Sequence, residues 1–251
     1  MSTTSTRSSS TNSAATRSAA TRSRAERSRT VHAGLTAHDV VDAALAIVER
    51  DGGRALTMRG LASELGVTTT TIYWHVGNRD ELVIALIEAL AARLGTAEVV
   101  GETPAERVTD AAMNIWRNAL AHRNVTALAG QVGATTLLEL PLEISLLAEL
   151  ESAGLRGARA RDAMRAILLC IAGFLVGAWR SDETVPEDLT PAALWAGVDD
   201  ERVSAESLAA MGEPADLEAL LAATLGAVVV GLLATASTKA TASTKRESPD
   251  E

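Results

Sequence analysis

Apolar residues recur along most of this chain at the spacing of one helix face. Val40, Val41, Ala44, Leu45 and Val48 form the first such run, with Thr36 or Asp39 placed to start a helix and Gly52-Gly53 to end it. The pattern returns at Leu61, Ala62 and Leu65, then at Leu82, Val83, Leu86, Ile87, Leu90 and Leu94. It appears again at Val108, Ala111, Ile115, Trp116 and Leu120. The punctuation agrees with the periodicity. Thr57 and Thr68 stand where N-caps belong, Gly66 and Gly77 where helices stop, and Asn78 is followed by Glu81 in a capping box. Pro104 opens a further helix at its first turn. Additional helices are predicted around 124–131, 136–153, 159–181 and 214–236, about ten in all. The span 182–213, with Pro186, Pro191 and Gly197, reads as a loop containing short helices. Period-two runs of β-branched or aromatic residues are scarce, so the predicted fold is all-α.

Composition supports this picture. Of 251 residues, 47% are hydrophobic but only 2% aromatic, so any core must be aliphatic, which suits packed helices. The single cysteine, Cys170, permits no disulfide within the chain and reads as a small buried hydrophobe in a reducing, cytoplasmic setting. Net charge is −9, but it is unevenly placed. Residues 1–30 carry six arginines (Arg7, Arg17, Arg22, Arg24, Arg27 and Arg29) against Glu26 alone, and the remainder is strongly acidic. Residues 1–33 are low in complexity, with ATRS at 15–18 and again at 20–23. They read as a disordered basic arm, and 237–251 as a disordered tail. Between these tails lie a predicted DNA-binding segment, 34–81, and a ligand-binding and dimerisation segment, 82–236. The uncharged stretch 219–238 is long enough for a membrane span. Its threonines, its alanines and its lack of interfacial aromatics fit a buried helix better.

The stretch TMRGLASELGVTTTTIYWHVGNR at 57–79 carries the function. Two short helices joined at Gly66 can cross steeply because Ala62 is small, with Leu61, Leu65, Val67 and Ile72 as their seam. The second helix then projects Thr69, Thr70, Thr71, Tyr73, Trp74 and His75 outward. An α-helix fits the major groove of B-DNA, and hydroxyl, phenol and imidazole groups can reach base edges and phosphates. Arg59 and Arg79 flank it as phosphate partners. Polar threonines on a buried face, beside an exposed Tyr-Trp-His, would serve no purpose in an unrelated helical hairpin.

The segment LTMRGLASELGVTTTTIYWHVGNRDEL resembles the N-terminal domain of the TetR family over about residues 36–90. The resemblance implies a homodimeric all-α repressor that leaves its operator when a small molecule binds the larger domain. It also implies that Met58, Arg59, Thr69, Thr70, Thr71, Tyr73, Trp74, His75 and Arg79 face DNA. A weaker likeness runs through 102–130 and 146–155. In tetracycline-binding members of the family, an asparagine, a phenylalanine and a magnesium-binding histidine line the pocket at positions filled here by Ala111, Ile115 and Ala129. Tetracycline–magnesium sensing is therefore not expected. His32, His38, His75 and His122 form no close-spaced pair, and neither a metal nor a cofactor is expected.

An apolar pocket with few polar anchors is expected instead, and Asn114, Trp116, Arg117, His122, Gln131 and Trp179 are its candidate lining. Helices 159–181 and 214–236 are the expected dimer interface. Met164, Ile167, Leu168, Ile171, Phe174, Leu175 and Ala178 recur on the first. Leu217, Leu220, Leu221, Leu225, Val228, Val229 and Leu232 recur on the second. No GxSxG, HExxH, P-loop or GxGxxG motif is present, so an enzyme is not expected. The alternatives are a TetR-like activator, or a DNA-binding protein anchored to a membrane through 219–238.

Overall fold

The computed structural model describes residues 34–180 and 185–244. The basic arm, and the tail beyond 244, lie outside the described residues. Among the described residues there are eleven α-helices and one 3-10 turn. The chain divides into two compact units.

The first unit comprises 34–92 and 122–138. Its first helix, α1 (Ala37–Asp51), is capped by Thr36, and the carboxylate of Asp39 accepts the Thr36 N–H at 2.8 Å. The Thr36 hydroxyl, which donates to the same carboxylate at 2.7 Å, and then this backbone bond hold the Asp39 carboxyl below its ordinary range. Helix α2 (Met58–Leu65) is capped by Thr57, and α3 (Thr69–Val76) by Thr68, as the sequence predicts. Asn78 caps α4 (Arg79–Leu94) through its side-chain oxygen, while its own N–H donates to Glu81 at 2.7 Å. Two glycines are required here. Gly66 is left-handed (φ 67°) and lets Val67 N–H return to Ala62 O. Gly77 (φ 70°) has Glu81 so close that a Cβ would strike its carboxylate.

The same unit also takes in α6 (Arg123–Val132), which lies outside the 34–81 segment read from sequence. Val125, Leu128 and Ala129 are buried, and α6 packs against α1. His122 Nδ1 meets Glu49 Oε1 at 2.7 Å, and Asn124 donates to the Glu49 carbonyl at 2.8 Å.

The second unit comprises 93–121 and 139–244, less the undescribed 181–184. Helix α5 (Pro104–Ala121) begins with a capping box. Thr103 accepts the Glu106 N–H, and Glu106 Oε2 accepts the N–H groups of Glu102 and Thr103. Helices α8 (Ala158–Arg180) and α11 (Leu217–Thr244) pack with α5 and with one another. Helix α11 runs beyond residue 236, where the sequence places its end. The segment 185–213 carries the turn Glu187–Leu189 and the short helices α9 (Pro191–Ala196) and α10 (Ala205–Met211), none of which contains a buried residue.

Helix α7 (Thr135–Ser152) is tied to α5 by a two-pronged ion pair. Arg107 Nε and Nη2 donate to Glu149 at 2.8 and 2.6 Å. Farther up α7, Glu139 is half-buried and one turn from Glu143. Burial first, and the neighbouring carboxylate second, raise its pKa above the ordinary range. A raised carboxyl pKa means that ionisation opposes folding at neutral pH. That penalty fades as pH falls through the raised value and is gone below the ordinary glutamate value, where both states are protonated. Glu139→Gln is thus expected to raise the melting temperature at pH 7 and to lose this advantage in acid. A gain that persists unchanged in acid would show another cause.

Candidate functional site

The outer surface of α3 is the most unusual surface of the first unit. Ile72 is its only buried residue; with Leu61 and Ala62 of α2 it closes the inner seam, which Leu65 and Val67 border half-buried. With Ile72 as the inward anchor, the polar and aromatic side chains of α3 lie at or toward its outer surface. Trp74 is 81% exposed and Tyr73 51%, and Thr70 stands exposed beside them. Thr69, Thr71 and His75 are half-buried at its margins. Trp74 and His75 hold each other edge to face, with ring centroids 4.9 Å apart. Thr71 is drawn back to the cap, its hydroxyl 2.9 Å from that of Thr68. A large indole in water costs free energy unless something covers it, which makes this surface the candidate for a partner contact.

Arg59 stands exposed at the first turn of α2. Arg79 is placed differently from the expectation. Its Nε and Nη2 donate to the carbonyls of Leu56 and Gly53, both at 3.1 Å, so it braces the α1–α2 connection beneath α3. Met58, which the resemblance turns toward DNA, is buried at the first turn of α2, where an apolar side chain gains more from the core than from solvent.

The second unit has a cleft of about 530 Å³ between α5 and α11. Glu106, Thr109, Asp110, Met113 and Arg117 form its α5 wall, and Ala222, Gly226 and Val230 its α11 wall. Arg117 spans the mouth, donating to Asp110 at 3.3 Å and to Glu218 at 3.0 Å. The Glu218 hydrogen bond is the chief cause of an Arg117 pKa above its ordinary value. The two backbone N–H bonds to Glu106 hold that carboxyl below its ordinary range, so it is ionised at neutral pH.

Residues 40–86, which span α1 to the middle of α4, match the family described as "Bacterial regulatory proteins, tetR family". Over 94 residues the chain is 33% identical to the class E tetracycline repressor protein of Escherichia coli, covering 37% of this chain and 44% of that protein. It is 35% identical, also over 94 residues, to the class D protein, with 37% and 43% covered. The chain thus matches less than half the length of these relatives. A solved TetR transcriptional regulator from Streptomyces coelicolor is similar over 78% of this chain and 96% of its own, with 26% identity and a TM-score of 0.63. The S. coelicolor TetR family protein ActR, in complex with (S)-DNPA, is similar over 80% and 98%, with 26% identity and a TM-score of 0.56. The family match is confined to the helix-turn-helix residues 40–86, while the likeness to the solved TetR regulators extends over most of the chain.

The fold does not gather the six candidate pocket residues. Only Arg117 lines the cleft. Asn114 is on the same helix but donates to the Glu98 carbonyl at 3.3 Å. Trp116 is 4% exposed, and its indole N–H has no hydrogen-bond partner among the described residues. Trp179 is half-buried near the end of α8. His122 and Gln131 belong to the first unit, where His122 bonds Glu49 and Gln131 is exposed. The docking of α6 on α1 places them there. Sequence reasoning missed Glu106, Asp110 and Gly226. The capping box at 103–106 was a visible signal, but nothing in the sequence says that α11 lies across from it. Ala111, Ile115 and Ala129 are buried, so small or aliphatic side chains occupy the three positions that the family resemblance gives to polar and aromatic drug ligands.

Proposed function

We propose that this TetR-family regulator is a transcriptional repressor that binds palindromic operator DNA as a homodimer and is released by a small apolar or amphipathic effector. The observation that carries the reading is α3, which is anchored by Ile72 alone and offers Thr70, Tyr73 and Trp74 to a partner. Thr69, Thr71 and His75 border that surface, and Arg59 adds a nearby cation. In a helix-turn-helix head this is the helix that enters the major groove. Arg79 acts beneath it, by positioning.

Two features support the dimer. Helices α8 and α11 turn Ile167, Ile171 and Leu175, and Leu221, Leu225 and Val229, into the protomer's own core. These six were expected at the interface, so the seam lies on the adjoining faces. There Leu169 is 75% exposed and is followed by Ala172 and Val176; on α11, Leu220, Ala223, Ala227 and Gly231 are exposed. Both helices are also long and apolar enough to cross a membrane by length and composition. A twofold partner covers such faces equally well and places two reading heads on one duplex, about 34–36 Å apart. The supporting argument for an effector is the cleft, whose volume suits a small organic molecule.

Genomic footprinting with the purified protein tests the reading. One protected palindrome, bound by a dimer recovered from detergent-free lysate in the cytoplasmic fraction, is expected, as is rising target expression in a deletion strain. Falling expression would make the protein an activator. Recovery only with membranes would favour the anchored alternative.

A further inference from the structure

We infer that the cleft between α5 and α11 is a binding site for an amphipathic organic cation, an apolar ring system bearing an amine. The inference deepens the proposed function and rests on it only for the consequence at the operator.

Charge is the first argument. The lining contains one basic side chain, Arg117, which is already engaged by Asp110 and by Glu218 just outside the cleft. Glu106 is the third carboxylate. Its Oε2 is used by the helix cap, while Oε1 has no hydrogen-bond partner among the described residues and remains an acceptor at the cleft wall. Three carboxylates against one guanidinium leave the site negative, even allowing for the partial positive charge at the start of α5. An anionic ligand would have to displace a carboxylate from Arg117. A cation needs no such exchange and completes the valence of Glu106.

Shape and polarity are the second argument. The facing wall is Ala222, Gly226 and Val230, without a polar side chain, and Met113 adds a pliable thioether from α5. At Gly226 an added Cβ would meet nothing within 4 Å, so the α11 wall is open at its centre. One apolar wall and one acidic wall match a ligand with a hydrophobic body and a single positive end.

The test is calorimetry on the full-length protein without DNA, using imipramine as the tricyclic amine. Iminodibenzyl serves as its uncharged parent and anilinonaphthalene sulfonate as an anionic aromatic. Saturable binding of imipramine, one molecule per chain, is expected, with iminodibenzyl weaker by about tenfold and the sulfonate not competing. Glu106→Gln should weaken imipramine by about tenfold while leaving iminodibenzyl unchanged. Gly226→Leu should abolish binding of both; its helical content and dimer mass should stay as in the parent, because a leucine favours helix over glycine. Equal affinity for the charged and neutral compounds, retained binding in Gly226→Leu, or no saturable binding of imipramine would each overturn the assignment. Operator release is read separately. Binding in this pattern without release leaves the cation site standing and counts against the effector reading. Release by another compound that Gly226→Leu still obeys likewise counts against the cleft as the effector site and leaves the repressor reading intact.

Discussion

Tyr73→Ala is expected to lower operator affinity by two orders of magnitude or more without lowering the melting temperature. Tyr73 is half-exposed on α3, and its loss removes nothing from the core that Ile72, Leu61 and Ala62 make. Stability should therefore move by no more than about 0.5 kcal/mol, as for an ordinary surface position. In the proposed operator complex the same phenol would donate to a charged phosphate oxygen, a contact worth about 1.5–3 kcal/mol. The proposed homodimer would use it twice, so the expected loss is about 3–6 kcal/mol, on the order of a hundredfold to ten-thousandfold in affinity. His75→Ala should act in the same direction, through both its own contact and the edge-to-face support it gives Trp74. Arg79→Ala behaves differently. It removes bonds to Gly53 and Leu56, so it should reduce stability along with affinity. Electrophoretic mobility shift with parallel thermal melts separates these outcomes. Unchanged affinity in Tyr73→Ala would show that α3 is not the reading helix.

The second large effect is expected from Ala227→Asp. Ala227 is exposed on the outer face of α11 within a single chain, so a carboxylate there has no cost to the protomer. Across a twofold interface it introduces two like charges into an apolar seam formed with Leu169, Val176, Leu220 and Ala223. An unpaired buried charge costs several kcal/mol, and here there are two. The expected result by sedimentation velocity is a folded monomer at micromolar concentration with native helical content. Operator affinity then falls toward the nonspecific level, because one head contacts only one half-site. A dimer that survives Ala227→Asp would place the interface elsewhere.

These predictions depend unequally on sequence and structure. The first helices were legible to within a few residues because their ends are set locally. Thr36, Thr57, Thr68 and Asn78 cap by reaching their own next turn, and Gly66 and Gly77 stop helices through their own backbone conformation. The outward character of α3 was legible for the same reason, since one apolar anchor among polar neighbours defines a face without reference to anything else. The pocket was not. Asn114, Trp116, Arg117, His122, Gln131 and Trp179 are all plausible linings by residue type. Which of them meet depends on how α6 turns away toward α1 and how α11 crosses α5, across roughly a hundred residues of intervening chain.

The hydrophobic pattern by itself therefore determined an all-α chain, the placement of its first helices, and a helix-turn-helix whose third helix turns one apolar anchor inward and polar and aromatic side chains outward. Caps, periodicity and glycine stops act over one or two turns, and sequence records them directly. Only tertiary structure decided that Arg79 braces rather than reaches outward, that Met58 is inside, and that Ile167 and Leu225 belong to the protomer core while Leu169 and Ala227 face out. Only tertiary structure set Glu106 opposite Gly226. An apolar stripe on a helix has two flanks, and periodicity says that one of them is covered. Which helix covers it, and from which side, depends on long-range packing between elements whose mutual register no local interaction specifies.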